Sequence, residues 1–181
     1  PEANAWLKTL IDQHDPAVVF IDAGGIGAAT ISLIRAEGPK YANIVKAVNF
    51  GGTSQHKLAK PKVPGPKNRR AEMWQRAKDY LMEEVGVSIP DMDALQADLT
   101  GPTVKDSTTN DLLLESKRDM KKRGLRSPDL ADSFVLTFAD LRHIDSYSDR
   151  PKRPASVVEN PDAPAVREIY GDTGDSEGWM L

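Results

Sequence analysis

Cysteine is absent from this 181-residue chain. That excludes disulfides, Cys-ligated zinc and thiol nucleophiles. Histidine is scarce: His14, His56 and His143 fall at loop and helix-end positions, with no metal-ligand spacing such as His-x-x-x-His. No apolar run approaches the length needed to span a bilayer. The opening PEANAWLKTL lacks the basic-then-apolar order of a signal peptide. It also lacks Met and begins directly in a helical pattern, so the expectation is a chain cut from something longer. Neither sign of charge dominates: 24 Lys and Arg stand against 27 Asp and Glu, a net of −3. A uniformly basic protein is excluded, but a local basic surface is not. The hydrophobic fraction of 39% is low, and Pro and Gly number 13 each. This composition predicts a globular body with a sizeable irregular fraction.

What is present reads as α/β. Ala5, Trp6, Leu7, Leu10 and Ile11 recur at helical spacing over residues 3–13. Ala17-Val18-Val19-Phe20-Ile21 is a continuous, β-branched-rich run, the pattern of a strand buried on both faces. Asp22 closes it, followed by Ala23-Gly24-Gly25-Ile26-Gly27. A helix is predicted from about Ala28 to Glu37, stopping at Gly38-Pro39, and a second strand over Ile44–Val48. After a loop over 51–68, Asn68 is placed to cap a helix from Arg69 to about Glu84. A short helix over 91–99 is started by Asp91, and Leu112–Glu115 reads as a strand. The basic segment Ser116–Gly124 follows, and then a last helix from Ser127 or Pro128 to about Arg142. The body is assigned to residues 1–145. Residues 146–181 are read as a Pro-containing, acid-ended tail without its own core. No internal repeat is found.

Three features carry chemistry. Asp22 sits at the carboxyl end of a strand, where α/β folds build sites. The bland alternative is that Asp22 caps the next helix and the glycines make a tight turn. A nucleotide-binding reading of Gly25-x-Gly27 is weaker, because Thr30 replaces the third fingerprint glycine and no Gly-Lys-Ser/Thr is present. Asp129 and Asp132 share one face in the first turn of the last helix. They satisfy the helix dipole, or they present oxygens to a hard divalent cation. Positive charge is segregated into two runs, net +7 over Lys57–Lys78 and net +4 over Glu115–Arg126. The unremarkable reading is a solvated face; the functional one is a polyanion contact. Arg69 and Arg70 oppose the dipole preference at a helix start, which strengthens the functional reading. With no serine in a nucleophile-elbow context, metal chemistry on carboxylates is the most economical enzymatic reading.

The stretches Val18–Gly27, Leu114–Gly124 and Ser127–Ala139, together with Lys67-Asn68-Arg69-Arg70-Ala71-Glu72-Met73-Trp74, resemble the C-terminal nuclease domain of the large terminase subunit of tailed bacteriophages. The resemblance covers roughly residues 5–140. It implies an RNase H-like mixed sheet flanked by helices, and a nuclease that cuts concatemeric phage DNA during genome packaging with Mg²⁺ or Mn²⁺. It carries the family's second acid onto Asp22 and its last acids onto Asp129 and Asp132, with Asp129 ranked slightly higher. Arg69, Arg70, Lys117, Lys121, Lys122 and Arg123 are then expected at DNA phosphates. The implied partners are double-stranded DNA, the portal protein and the small terminase subunit, in the cytoplasm of a host carrying phage or prophage. The family's first acid lies on a strand upstream of Pro1, and the ATPase motor is absent. The expectation is therefore a fragment lacking its first strands, with weak metal binding and slow or no cleavage. The alternative is a non-catalytic DNA- or portal-docking module.

Overall fold

The computed structural model describes residues 2–55, 65–82, 88–105 and 111–140. The chain divides into two units, Pro1–Ser148 and Asp149–Leu181, and every described residue belongs to the first. His56, His143, the expected end of one helix at Glu84 and the assigned tail lie outside the described residues.

Helix α1 (Glu2–His14) leads to strand β1 (Val19–Asp22), helix α2 (Gly27–Ala36), helix α3 (Pro39–Ile44) and strand β2 (Val45–Val48). β1 and β2 pair in parallel, Val19 opposite Val45 and Asp22 opposite Val48. Side chains alternate across a strand, so the pair serves two cores. Val19, Ile21 and Val45 pack with Leu7, Ile11, Ile31, Ile34, Tyr41 and Ile44 from the three helices. On the other face, Phe20 and Val48 pack with Met73, Ala77, Val135 and Phe138. Both faces are therefore covered, as the apolar run predicts, yet all four β1 residues remain half-buried. Among the described residues β1 has one strand neighbour, so its edge is less enclosed than that of a central strand. Arg35 closes this half of the fold by donating to the Val45 carbonyl from Nε at 3.2 Å and Nη2 at 2.8 Å.

The second half begins with helix α4 (Arg69–Leu81). Asn68 caps it as expected, its side chain accepting from the Ala71 N–H at 2.8 Å. The preceding loop is stitched to this end: Arg69 and Arg70 donate their backbone N–H groups to Gly52 and Phe50. Helix α5 (Asp93–Thr100) starts two residues later than predicted, with Met92 at its cap and no side-chain capping bond. Strands β3 (Val104–Lys105) and β4 (Leu113–Leu114) pair antiparallel. Helix α6 (Lys117–Lys122) occupies the basic segment, capped by the Ser116 hydroxyl. Helix α7 (Asp129–Leu136) is shorter than predicted, because the chain tightens into i→i−3 turns through Ala139. α7 packs on β1, α4 and α5. The result is a mixed α/β body with a parallel and an antiparallel ladder, in which the start of α7 meets α4 and α6.

Candidate metal centre and basic surface

Asp129 and Asp132 are brought together as their spacing predicts. The Lys117 ammonium of α6 lies 3.1 Å from Asp129 Oδ1 and 3.0 Å from Asp132 Oδ2. The two carboxylates thus converge on a single cation. Their surroundings differ sharply: the Asp129 side chain is 68% exposed and that of Asp132 only 8%. Asp132 Oδ1 accepts from Arg70 Nε and Trp74 Nε1, both at 3.1 Å. The buried Asp132 Oδ2 has the ion contact with Lys117 but no well-directed hydrogen bond. Burial works to lower the Lys117 ammonium pKa, but the close contacts with the Asp132 and Asp129 carboxylates outweigh it and raise the pKa. Burial likewise pushes the Asp129 carboxyl up, while the Ser127 hydroxyl and Lys117 pull it below its ordinary value.

Asp98 supports this end of α7 from α5. Its buried carboxylate accepts the Leu130 backbone N–H at 2.9 Å and pairs with Arg126 at 3.3 Å. A side chain from another helix therefore satisfies one of the orphan donors of α7. The sequence reading missed Asp98, whose partner lies 32 residues away.

Asp22 ends β1 on the strand face shared with Phe20, the face covered by α4 and α7. It does not cap α2: Ile26 occupies that cap without a side-chain bond. Instead Asp22 Oδ1 accepts the Gly24 N–H at 3.0 Å. The glycines have local tasks. Gly25 adopts φ +52°, and a Cβ on Gly27 would lie 1.7 Å from the Asp22 carbonyl oxygen. This makes the tight-turn reading of the glycines concrete. Among the described residues no three His, Asp or Glu side chains are grouped closely enough to hold a metal ion.

The basic residues divide by their partners. Arg69 and Arg70, expected at phosphates, are turned inward. Arg69 pairs at 2.9 Å with Glu72, a carboxylate with no exposed surface, and also donates to the Ala139 carbonyl. Arg76 reaches the same carboxylate at 2.6 Å and the Phe138 carbonyl at 2.9 Å. Arg70 pairs with Asp132 and donates to the Glu115 carbonyl at 3.0 Å. These pairings explain why two cations tolerate the unfavourable end of the helix dipole. Arg123 pairs with buried Glu115 at 2.6 Å, and that guanidinium is the leading cause holding the Glu115 carboxyl below its usual range. Lys122 pairs with Asp119. Lys121 and Arg118 are exposed on α6 and make no ion pair among the described residues.

The donor set suits a hard divalent cation in kind: two carboxylates one helical turn apart, one reachable from solvent, with a lysine ammonium standing where a cation would sit.

No protein-family profile matches the sequence, and no curated protein matches it significantly. Solved structures do. The nuclease domain of the large terminase subunit gp2 of bacterial virus Sf6 matches with a TM-score of 0.53 and 22% identity, over 74% of this chain and 69% of that one. A lysine-to-alanine variant of that domain with manganese matches at 0.53 and 23% identity, over 74% and 70%. The same variant with calcium matches at 0.53 and 23%, over 74% and 69%. The chain has the fold of these terminase nuclease domains.

Proposed function

We propose that this chain, having the fold of a terminase nuclease domain, is a metal-dependent DNA endonuclease domain of a phage packaging motor, hydrolysing phosphodiesters of concatemeric DNA. One observation carries the reading: Asp129 and Asp132 converge on one cation position at 3.0–3.1 Å. Asp129 and Asp132 would hold Mg²⁺ or Mn²⁺, with Asp22 the further acid that the resemblance assigns to the site. Bound there, a divalent ion would supply Lewis-acid stabilisation of the phosphoryl oxygens and a more acidic water. Lys117 neutralises the paired acids when no metal is bound. The exposed cations of α6 would lie against the DNA backbone, positioning the duplex without reading its sequence. In this reading the partners are double-stranded DNA, the portal protein and the small terminase subunit, in the host cytoplasm.

The second reading is a non-catalytic DNA- or portal-docking module. It is favoured by the lack of a three-acid group among the described residues. Titrating Mn²⁺ against supercoiled plasmid separates the two. Nicking by wild type that is lost in Asp22→Asn and Asp129→Asn supports the endonuclease. Equal nicking by all three removes the carboxylate mechanism, and DNA binding with no nicking under any metal selects the docking module.

A further inference from the structure

We propose that Trp74 and Arg70 are positioning residues for the metal centre, acting through Asp132. The proposal rests on the metal-site reading above and adds to it two residues of α4 that bond to one of its carboxylates.

The argument starts from the asymmetry of the Asp132 carboxylate. Oδ1 is saturated by two fixed donors, the indole N–H and the guanidinium Nε, both at 3.1 Å. Oδ2 is buried and has only the Lys117 ion contact. A carboxylate free to rotate would offer either oxygen. Here the two donors on one side fix χ2, so that one oxygen faces α4 and the other faces the shared cation position. Ligating carboxylates elsewhere depend on such outer partners, whose loss weakens metal binding by roughly 10–100-fold.

The donors are themselves held. The Arg70 guanidinium lies 5.7 Å from the Trp74 ring centroid, so the two stack as a unit. Arg70 is anchored a second time on the Glu115 carbonyl, at the end of β4 immediately before α6. One guanidinium therefore touches the acid on α7 and the strand end that leads into Lys117. Trp74 also lines an apolar cavity of about 640 Å³ with Leu95, Leu99 and Leu114, while its indole N–H donates to Asp132. Trp74→Phe removes the N–H and keeps most of the ring volume.

The experiment is Mn²⁺ binding by calorimetry to the folded chain, for wild type, Trp74→Phe, Asp132→Asn, Asp129→Asn and the double variants. Trp74→Phe is expected to weaken Mn²⁺ about tenfold or more, with its thermal midpoint in EDTA close to wild type. The losses from Trp74→Phe and Asp132→Asn should fail to add, because both act through one carboxylate. The losses from Trp74→Phe and Asp129→Asn should add. A merely structural tryptophan would give additive losses in both cycles. Arg70→Gln supplies a second variant should Trp74→Phe fold poorly. Wild-type Mn²⁺ affinity in folded Trp74→Phe, or additivity with Asp132→Asn, overturns the assignment. Absence of Mn²⁺ binding by wild type overturns the metal-site reading and this assignment with it.

Discussion

Single residues in this protein act mostly through charges placed where water cannot screen them. Asp132 and Arg70 pair with side chains 8% and 11% exposed. Removing one member leaves the other buried and uncompensated, at a cost of about 3–5 kcal/mol. Asp132→Ala is accordingly expected to lower the urea-unfolding free energy by about that amount. Asp132→Asn, which keeps an acceptor for Trp74, should lower it less. Asp12 is the contrasting surface case. Bonds from Lys40, Tyr41 and Lys8 hold its carboxyl down to about 2. Because the folded value lies below the ordinary one, the contribution of this cluster is complete above about pH 4. It is lost as pH falls towards 2, as an NMR titration of the Asp12 carboxyl would show. The sequence displayed these residue types but not their partners. Arg70 looked like a DNA contact because the acid that neutralises it lies 62 positions away.

Elements were legible where the cause was local. The Asn68 cap and apolar periodicity announced α4, and Asn68→Ala should destabilise the fold by about 1 kcal/mol in thermal melts. Helix α3 was hidden because Gly38-Pro39, read as a stop, is also a start: Pro39 takes the first helical position, where its missing N–H costs nothing. Helix α6 was hidden inside a charge run. Its evidence was Ser116 with Asp119 three residues on, a local cap that the surrounding lysines obscured. Strand β3 is two residues long, too short for any alternation to register. The α7 acids were found because i, i+3 spacing alone makes them neighbours. Their third expected partner, Asp22, depends on tertiary placement that spacing does not encode.

For the whole molecule, the relevant quantity is the number of cations left for a polyanion once internal pairs are counted. Of the six residues expected at phosphates, Arg69, Arg70, Lys117, Lys122 and Arg123 have carboxylate partners, and Lys121 has none among the described residues. Affinity for duplex DNA should therefore fall with salt less steeply than six contacts would require. Lys121→Ala should reduce the log–log salt slope by roughly 0.9 without changing the melting temperature. An unchanged slope would place the DNA elsewhere on the surface.

The cap that Asp98 provides for α7 has a consequence in time. α7 has only eight residues, fewer than an isolated helix needs to persist in water. One of its first-turn donors is satisfied only once α5 has docked. The carboxylate pair should therefore open and close with α5 as one cooperative unit, not fray from its own end. In native-state hydrogen exchange, the amides of α5 and α7 should share one opening free energy, and Asp98→Ala should lower it for both helices while leaving α2 unchanged.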